Sequence, residues 1–206
     1  MFTTLSHAEV LERTARSIRT GSAEKLAPAE LVAVLLELEK LGKSQKQTDS
    51  FDRLVGTWRL AFVTGTKKSR QRAGIVLGAG RYLPKWVEIS LSYTPVMPEE
   101  ARQATPDFEV GWVQNRVALA TVQLSLSGPV KFLRKNNLLA FDFTRIQASV
   151  FGIKFYEGYI RGGRENEETF DRERIGKQAF FNYFWIGETA IAARGRGGGL
   201  ALWVRL

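Results

Sequence analysis

The side chains that most often carry enzyme chemistry are scarce in this chain. Its 206 residues include no cysteine and a single histidine, His7. Thiolate nucleophiles, disulfides, Cys/His zinc sites and triads that combine a histidine with a cysteine or a second histidine are therefore excluded. The residue types leave open carboxylate chemistry or binding without catalysis.

Carboxylates occur, but their spacing does not suggest a paired acid and base. Asp142 lies in an apolar stretch, and no second carboxylate is evidently paired with it. Residues 165–174 mix acidic residues with arginines, which is typical of a solvated ion-pair surface rather than a metal site. Gly78-Ala79-Gly80 lacks the third glycine and the Lys-Ser/Thr pair of phosphate-binding loops. We therefore expect a protein that is not an enzyme and holds neither a metal ion nor a cofactor.

A second group of residues points to a charged surface as a partner. The chain has 30 Lys+Arg against 21 Asp+Glu, a net charge of +9, and one basic segment contains no acid and is interleaved with apolar residues. Its cations are Lys67, Lys68, Arg70, Arg72, Arg81 and Lys85. This pattern predicts contact with an anionic membrane surface, where each cation contributes roughly 1 kcal/mol. A solvated loop is the simpler alternative.

Nucleic acid is another alternative partner. Arg194 and Arg196 alternate with glycines and could follow phosphates. This reading is disfavoured, because those glycines fall where a hairpin between two strands needs them and the chain has no aromatic RNA-binding motif.

The elements that position these residues change in character near residue 56. Before it, Ser6 and Glu9 form a capping box for a helix that ends at Gly21. A second helix starts near Pro28, with leucines at helical spacing up to Gly42. We therefore assign residues 1–50 to an N-terminal helical segment.

After residue 56 the apolar period becomes two, which is typical of half-buried strands. Strand-like runs cover 58–63, 87–93, 108–113, 117–126, 138–146, 151–160, 180–186, 189–194 and 199–205. Turns are expected at 127–129, 136–137 and 195–198. Many short strands with hairpin-like links predict a mainly-β fold, in which residues 51–206 form a closed antiparallel barrel without exposed edges.

Two motifs at the ends of this region resemble a known family. Gly56-Thr57-Trp58-Arg59-Leu60, followed by Ala61-Phe62, resembles the opening strand of the plastid lipid-associated proteins, the plastoglobule fibrillins. The segment 192–200, followed by Trp203-Val204, resembles the closing signature of that family. The resemblance covers residues 52–206, but Ile191 stands where the family has an arginine, and only Glu188 and Arg194 remain of its polar closing set.

The resemblance implies a lipocalin-like barrel that associates with carotenoids, quinones or membrane lipids. The first residues form neither a signal peptide nor an Arg-rich transit peptide, and the longest apolar run is too short to cross a bilayer. Together these observations predict a cyanobacterial family member, either cytoplasmic or peripheral to the thylakoid membrane.

Two sets of candidate site residues follow from the barrel. Trp58 on the first strand and Arg194 on a late strand are expected to close one end, with the guanidinium over the indole face. Alternation places a set of apolar side chains toward the interior, where they would bind a lipophilic molecule or simply fill the core. This set is Trp58, Leu60, Phe62, Val87, Leu91, Phe141, Phe143, Ile153 and Phe155.

The sequence thus predicts a non-catalytic protein that binds or shields lipophilic molecules at photosynthetic membranes or lipid droplets. A bilin lyase or tetrapyrrole-delivery protein on a similar barrel remains an alternative, with basic residues meeting propionates. A nucleic-acid-binding module ranks below both. The sequence does not determine the oligomeric state.

Overall fold

The computed structural model describes residues 6–22, 24–45, 48–65, 80–84, 86–95 and 108–206. Its helices are α1 (His7–Thr20), α2 (Pro28–Gln45) and α3 (Gly163–Thr169). The strands are β1 (Gly56–Val63), β2 (Arg81–Tyr82), β3 (Val87–Pro95), β4 (Glu109–Leu119), β5 (Val122–Leu133), β6 (Leu138–Phe141), β7 (Arg145–Val150), β8 (Ile153–Tyr159), β9 (Ala179–Ile186), β10 (Ala190–Gly195) and β11 (Leu200–Arg205).

The two N-terminal helices pack on the outside of the sheet. The predicted capping box begins α1: the Ser6 hydroxyl accepts from the Glu9 amide, and the Glu9 carboxylate accepts from the Ser6 amide. The buried faces of the helices form one core with the outward side chains of β1, β10 and β11. Its members include Leu11, Leu31 and Leu35 from the helices and Leu202 from β11. The helical segment therefore shares a hydrophobic core with the strands.

Eight strands close into an antiparallel barrel, as the sequence predicted. Neighbours around the barrel follow chain order, β1, β3, β4, β5, β6, β9, β10 and β11, and the pairing of β1 with β11 completes the circle. Closure leaves none of these eight strands as a free sheet edge over its paired length.

The strands β7 and β8 do not belong to the barrel. The last residues of β5 pair with β6, whereas its first residues, from Val122 to Ser127, pair with β7. β4 pairs with β5 over its whole length, and β8 pairs with β7. Residues 86–90, 115–127 and 145–159 therefore form a sheet that continues beyond one end of the barrel; we call it the extension.

The turn predicted at 127–129 is wrong, because these residues lie inside β5. Gly128 explains the difference: a Cβ there would stand 2.0 Å from the carbonyl oxygen of Asp142. The absence of a side chain lets the link between β6 and β7 cross β5 at this point, where the amide of Thr144 donates to the Ser127 carbonyl at 3.0 Å. The same crossing divides the predicted strand 138–146 into two strands.

Among the described residues, no helix combines the length and the apolarity needed to cross a membrane. The turns predicted at 136–137 and 195–198 lie between strands as expected.

Candidate functional site

One end of the barrel is closed by Trp58. Its indole nitrogen donates to the Leu54 carbonyl at 2.7 Å, and the guanidinium carbon of Arg205 lies 4.0 Å from the ring centroid. Arg205 also donates to the carbonyls of Val55 and Arg53, at 3.2 and 3.3 Å. The predicted closure of an indole by an arginine is therefore present, but the predicted partner, Arg194, is wrong. The pairing of β1 with β11 sets Trp58 opposite Arg205.

Arg194 instead fastens α2 to the outside of the barrel. Its Nε donates to Glu39 at 2.7 Å, its Nη2 also contacts that carboxylate, and Nη1 donates to the Gly198 carbonyl at 2.7 Å. The hydrogen bonds from Arg194 lower the pKa of Glu39 and raise the pKa of Arg194 itself. This contact is structural and lies away from the barrel interior.

The interior next to the closed end is a packed core. Trp58 and Leu91, both predicted ligand-binding residues, are buried there. The hydroxyls of Tyr93 and Tyr183 share a hydrogen bond of 2.7 Å, and burial raises the pKa of both tyrosines well above the ordinary value. These side chains fill the space that a ligand would need.

Phe62 does not point into the barrel, although simple alternation from Trp58 predicted that it would. The register between β1 and β11 shifts between Leu60 and Phe62, which inserts Ala61 as an extra residue. A bulge of this kind reverses the faces of the residues that follow it. Phe62 is consequently buried against the helices, in the outer core.

The opposite end of the barrel is an aromatic mouth. We give this name to the half-buried apolar side chains that pack on the inner core at that end: Leu60, Phe141, Phe143, Phe181 and Ala201. The ring centroid of Phe141 lies 5.0 Å from that of Phe181 and 5.2 Å from that of Phe143. The ring centroid of Phe181 lies 5.2 Å from that of the buried Trp203. Three predicted residues, Leu60, Phe141 and Phe143, thus meet at one opening.

The extension carries the inner face of the barrel out beyond this mouth. Directly paired residues in a sheet share a face, so the register defines its apolar side. The row nearest the barrel joins Leu91, Asn115, Leu126 and Ile146. The next row joins Ile89, Val117, Leu124 and Ala148. The last row, farthest from the barrel, joins Val87, Leu119, Val122, Val150 and Ile153. Because Leu91 is a core residue of the barrel, this apolar face and the barrel interior form one continuous surface.

The remaining predicted ligand-binding residues lie on the extension rather than inside the barrel. Val87 is half-buried on the apolar face, whereas Ile153 and Phe155 are 72% and 66% exposed. The prediction that Ile153 and Phe155 point into the barrel is wrong, because β8 is an edge strand of the extension. The register shift in β8 also leaves Phe155 without a partner in the ladder.

One polar side chain interrupts the apolar face where the extension leaves the barrel. Asn115 lies on that face between Leu91 and Leu126. Its Oδ1 is buried, and among the described residues it has no hydrogen-bond partner. A buried acceptor without a partner is unusual and suggests a donor that the protein itself does not provide.

The other face of the extension is polar. A groove of about 400 Å³ there is lined by Gln114, Ser125, Ser127, Arg145, Ile146, Gln147, Glu157, Gly158 and Tyr159. Arg145 donates to Glu167 on α3 at 2.8 Å and lies 4.8 Å from the ring centroid of Trp112. The hydrogen bond from Arg145 holds α3 against this face. The extension therefore has one apolar face and one polar face.

Comparisons of the chain with models of protein families, with curated proteins and with solved structures find no significant match. Membership of the plastid lipid-associated proteins therefore stays a prediction that rests on the two end motifs.

The predicted membrane-contacting segment falls largely outside the described residues. Arg81, on β2, is described and exposed, whereas Lys67, Lys68, Arg70, Arg72 and Lys85 lie outside. Within the described parts of the chain, no three His, Asp or Glu side chains gather as a metal site would require.

Sequence reasoning missed the extension as a separate surface. A signal for it was present, because residues 117–130 contain no charged residue while their apolar side chains still alternate. The sequence gives no way to see that this alternation faces solvent, since β7 and β8 leave the barrel through a crossing that depends on Gly128.

Proposed function

We propose that this protein binds lipophilic molecules without catalysis, at the aromatic mouth and along the apolar face of the extension. The observation that carries the proposal is the continuity of these two surfaces: the inner face of the barrel emerges from a packed core and stays open to solvent beyond it. A closed barrel that only needed a core would bury that face or make it polar.

The energetics favour an apolar ligand. Removing apolar surface from water contributes about 25 cal/mol per Å², so covering about 300 Å² contributes roughly 7 kcal/mol before the costs of association. The half-buried rings of Phe141, Phe143 and Phe181 offer flat contacts of the kind that aromatic or polyene ligands use.

Asn115 narrows the ligand class. A lipophile with a hydroxyl at one end can donate its hydrogen to the Oδ1 of Asn115, while its apolar part covers the mouth. Hydroxylated carotenoids and the reduced, hydroquinone form of quinones carry such a hydroxyl. Both belong to the molecules that the family resemblance implies.

The same resemblance supports a place for the protein at photosynthetic membranes or lipid droplets, as a cyanobacterial member of the fibrillin family. The net charge of +9 favours an anionic membrane surface as a partner. Nucleic acid remains the disfavoured alternative.

Tryptophan fluorescence tests the binding site directly, because Trp203 adjoins Phe181 at the mouth. A quinone or a carotenoid titrated into the protein is expected to quench emission in a saturable way. The variant Phe143→Asp should lose the saturable quench, since it places a charge on the contact surface while the fully buried residues of the core keep their side chains. Arg59→Gln, a neighbour of Leu60 on β1, serves as the matched control and should bind as the wild type does.

Two outcomes would overturn the proposal. One is the absence of saturable quenching by both ligand types in the folded wild-type protein. The other is saturable binding of a bilin but of neither quinone nor carotenoid, which would favour the tetrapyrrole-delivery alternative.

A further inference from the structure

The far end of the extension brings three separate chain segments to one edge. The last row of its ladder joins Val87, Leu119, Val122, Val150 and Ile153. Two hairpin turns project beyond this row, at 120–121 and at 151–152. The amide of Phe151 donates to the Thr121 carbonyl at 2.9 Å, which ties the two turns together. Residues 86–87, 119–122 and 150–153 form what we call the tip.

Large apolar side chains cover the tip and face solvent. Phe151, Ile153 and Trp86 are 77%, 72% and 70% exposed, and Leu119 and Val122 are about half exposed. Such a concentration of exposed apolar side chains marks an interaction site, because proteins rarely leave a contiguous apolar patch in contact with water.

The backbone conformation of Phe151 is unusual for a phenylalanine. Its φ is 49°, in the left-handed region where asparagine, aspartate and glycine are favoured in two-residue hairpin turns. A phenylalanine there carries a backbone cost and, because it is exposed, gains no compensating burial within the fold. Neither the turn nor packing among the described residues therefore explains a phenylalanine at this position.

The charge pattern distinguishes a lipid surface from a protein partner. Residues 86–87, 119–122 and 150–153, which make up the tip, contain no charged residue, so both faces of the tip are free of charge. A protein partner that docks on the apolar face requires only that face to be uncharged. Entry into a bilayer requires both faces to be uncharged, because a charge in hydrocarbon costs several kcal/mol. The row directly behind the tip joins Glu88, Ala118, Gln123, Ser149 and Lys154, so charge begins one row behind the tip.

The dimensions fit shallow insertion. Leu119 and Ala120 lie beyond the row of Ala118, a length of about 7 Å, and interfacial elements enter a bilayer to a depth of about 5–10 Å. Charged residues reappear at Glu88 and Lys154, in the row of Ala118, where they would meet headgroups. Trp86 lines a surface pocket with Glu88 and Ala118, and a place beside charged groups is one that tryptophan favours at membrane surfaces.

We propose that the tip of the extension inserts into the interfacial layer of an anionic lipid bilayer and anchors the protein there. The net charge of +9 draws the chain to such a surface, and the apolar tip then holds it. This inference deepens the proposed function, on which it rests for the presence of a membrane, by naming the element that meets lipid. It also places the membrane contact outside the basic segment 67–85, whereas the sequence alone predicted that contact within this segment.

Vesicle flotation tests the insertion with the full chain. The wild type is expected to float with phosphatidylcholine vesicles that contain phosphatidylglycerol. The double variant Trp86→Ser, Phe151→Asn should bind about tenfold more weakly, because it removes two of the most exposed apolar side chains of the tip, neither of which belongs to the rows of the ligand-binding apolar face. Asparagine suits the left-handed position, so this variant keeps the turn. Leu36→Gln, at an exposed leucine on α2, is the matched control and should bind like the wild type.

A second measurement reports depth. Brominated acyl chains should quench the emission of Trp86 in the wild type, and the Trp86→Phe variant should lose that component of the quench. Quinone binding in vesicle-free buffer, measured for the double variant, should match the wild type, so a failed anchor and a failed ligand site are distinguished.

Three results would overturn the inference. They are wild-type vesicle binding by the double variant, the absence of quenching at Trp86 by brominated chains, and a stable dimer whose tip amides are protected from hydrogen exchange without vesicles. The last result would assign the tip to a second copy of the chain.

Discussion

The closed end of the barrel and the tip of the extension use the same residue types in opposite ways. At the closed end Phe51, Leu54 and Trp58 are buried, and Arg205 lies over the indole. At the tip Trp86 and Phe151 are exposed, and the amide of Phe151 donates to the Thr121 carbonyl. Aromatic content alone therefore does not separate a structural end from a binding end. The separation appears in burial and in the partners of each ring.

The largest expected effect is a difference in stability between variants of two tryptophans, one at the closed end and one at the tip. Trp58→Ala should destabilise the fold by about 3–5 kcal/mol, because it leaves a cavity in the core and opens the closed end. Trp86→Ala should change stability by no more than about 0.5 kcal/mol, as exposed substitutions usually do. Urea unfolding measures both. Equal losses in the two variants would contradict the distinction between the ends.

Arg205 tests whether the closed end depends on its cation. Arg205→Gln removes the contact with Trp58 and the donors to the carbonyls of Val55 and Arg53, so we expect a loss of about 2 kcal/mol. Arg116→Gln, on the polar face of the extension, is the matched control and should leave the free energy of unfolding nearly unchanged. Thermal melts compare the pair. A neutral Arg205→Gln would show that the indole alone closes this end.

A pH series sharpens the contrast, because the barrel relies on charged contacts that the tip lacks. The Arg194 guanidinium lowers the pKa of Glu39 below its unfolded value. The contact therefore contributes its full stability above the unfolded pKa and loses it as the pH falls through the lowered folded pKa. Glu39→Gln should cost about 1.5 kcal/mol at neutral pH.

The measurement is urea unfolding of the wild type and Glu39→Gln between neutral and acidic pH. The difference between the two should shrink as the solution becomes acidic. A difference that stays constant at every pH would show that the Glu39 carboxylate does not act through its charge.

The smallest expected effect has the opposite sign. Phe151→Asn should leave stability unchanged or raise it by about 0.5–1 kcal/mol, because asparagine tolerates the left-handed backbone that phenylalanine resists. Differential scanning calorimetry resolves a shift of this size. A clear loss of stability would mean that Phe151 supports the fold, and the contrast with the closed end would fail.

Much of the fold was predictable because local signals agreed with the global structure. The capping box at Ser6, the change of apolar period near residue 56 and the turn at 195–198 each specify an element through contacts close in sequence. The order of most barrel strands followed from the rule that strands adjacent in sequence usually pair. These features led to a closed barrel with N-terminal helices.

The candidate site was predicted only in part, because it depends on long-range register. Leu60, Phe141 and Phe143 meet as expected, but the extra residue Ala61 turns Phe62 outward. Arg194 lies within the closing motif and Arg205 directly follows it, and only the pairing of β1 with β11 decides which one lies over Trp58. No local pattern encodes a bulge or the departure of a strand pair from a barrel.

The pairing of β1 with β11 also has a consequence for synthesis of the chain. Hairpins such as β4–β5 join neighbouring segments and can form early, whereas β1 must wait for a partner from the far end of the sequence. Until residues 200–205 have left the ribosome, β1 and β10 both present open edges, and the apolar side of β1 lacks its neighbour. A nascent chain stalled before Leu200 is thus an aggregation hazard, and chaperone protection matters most in that interval.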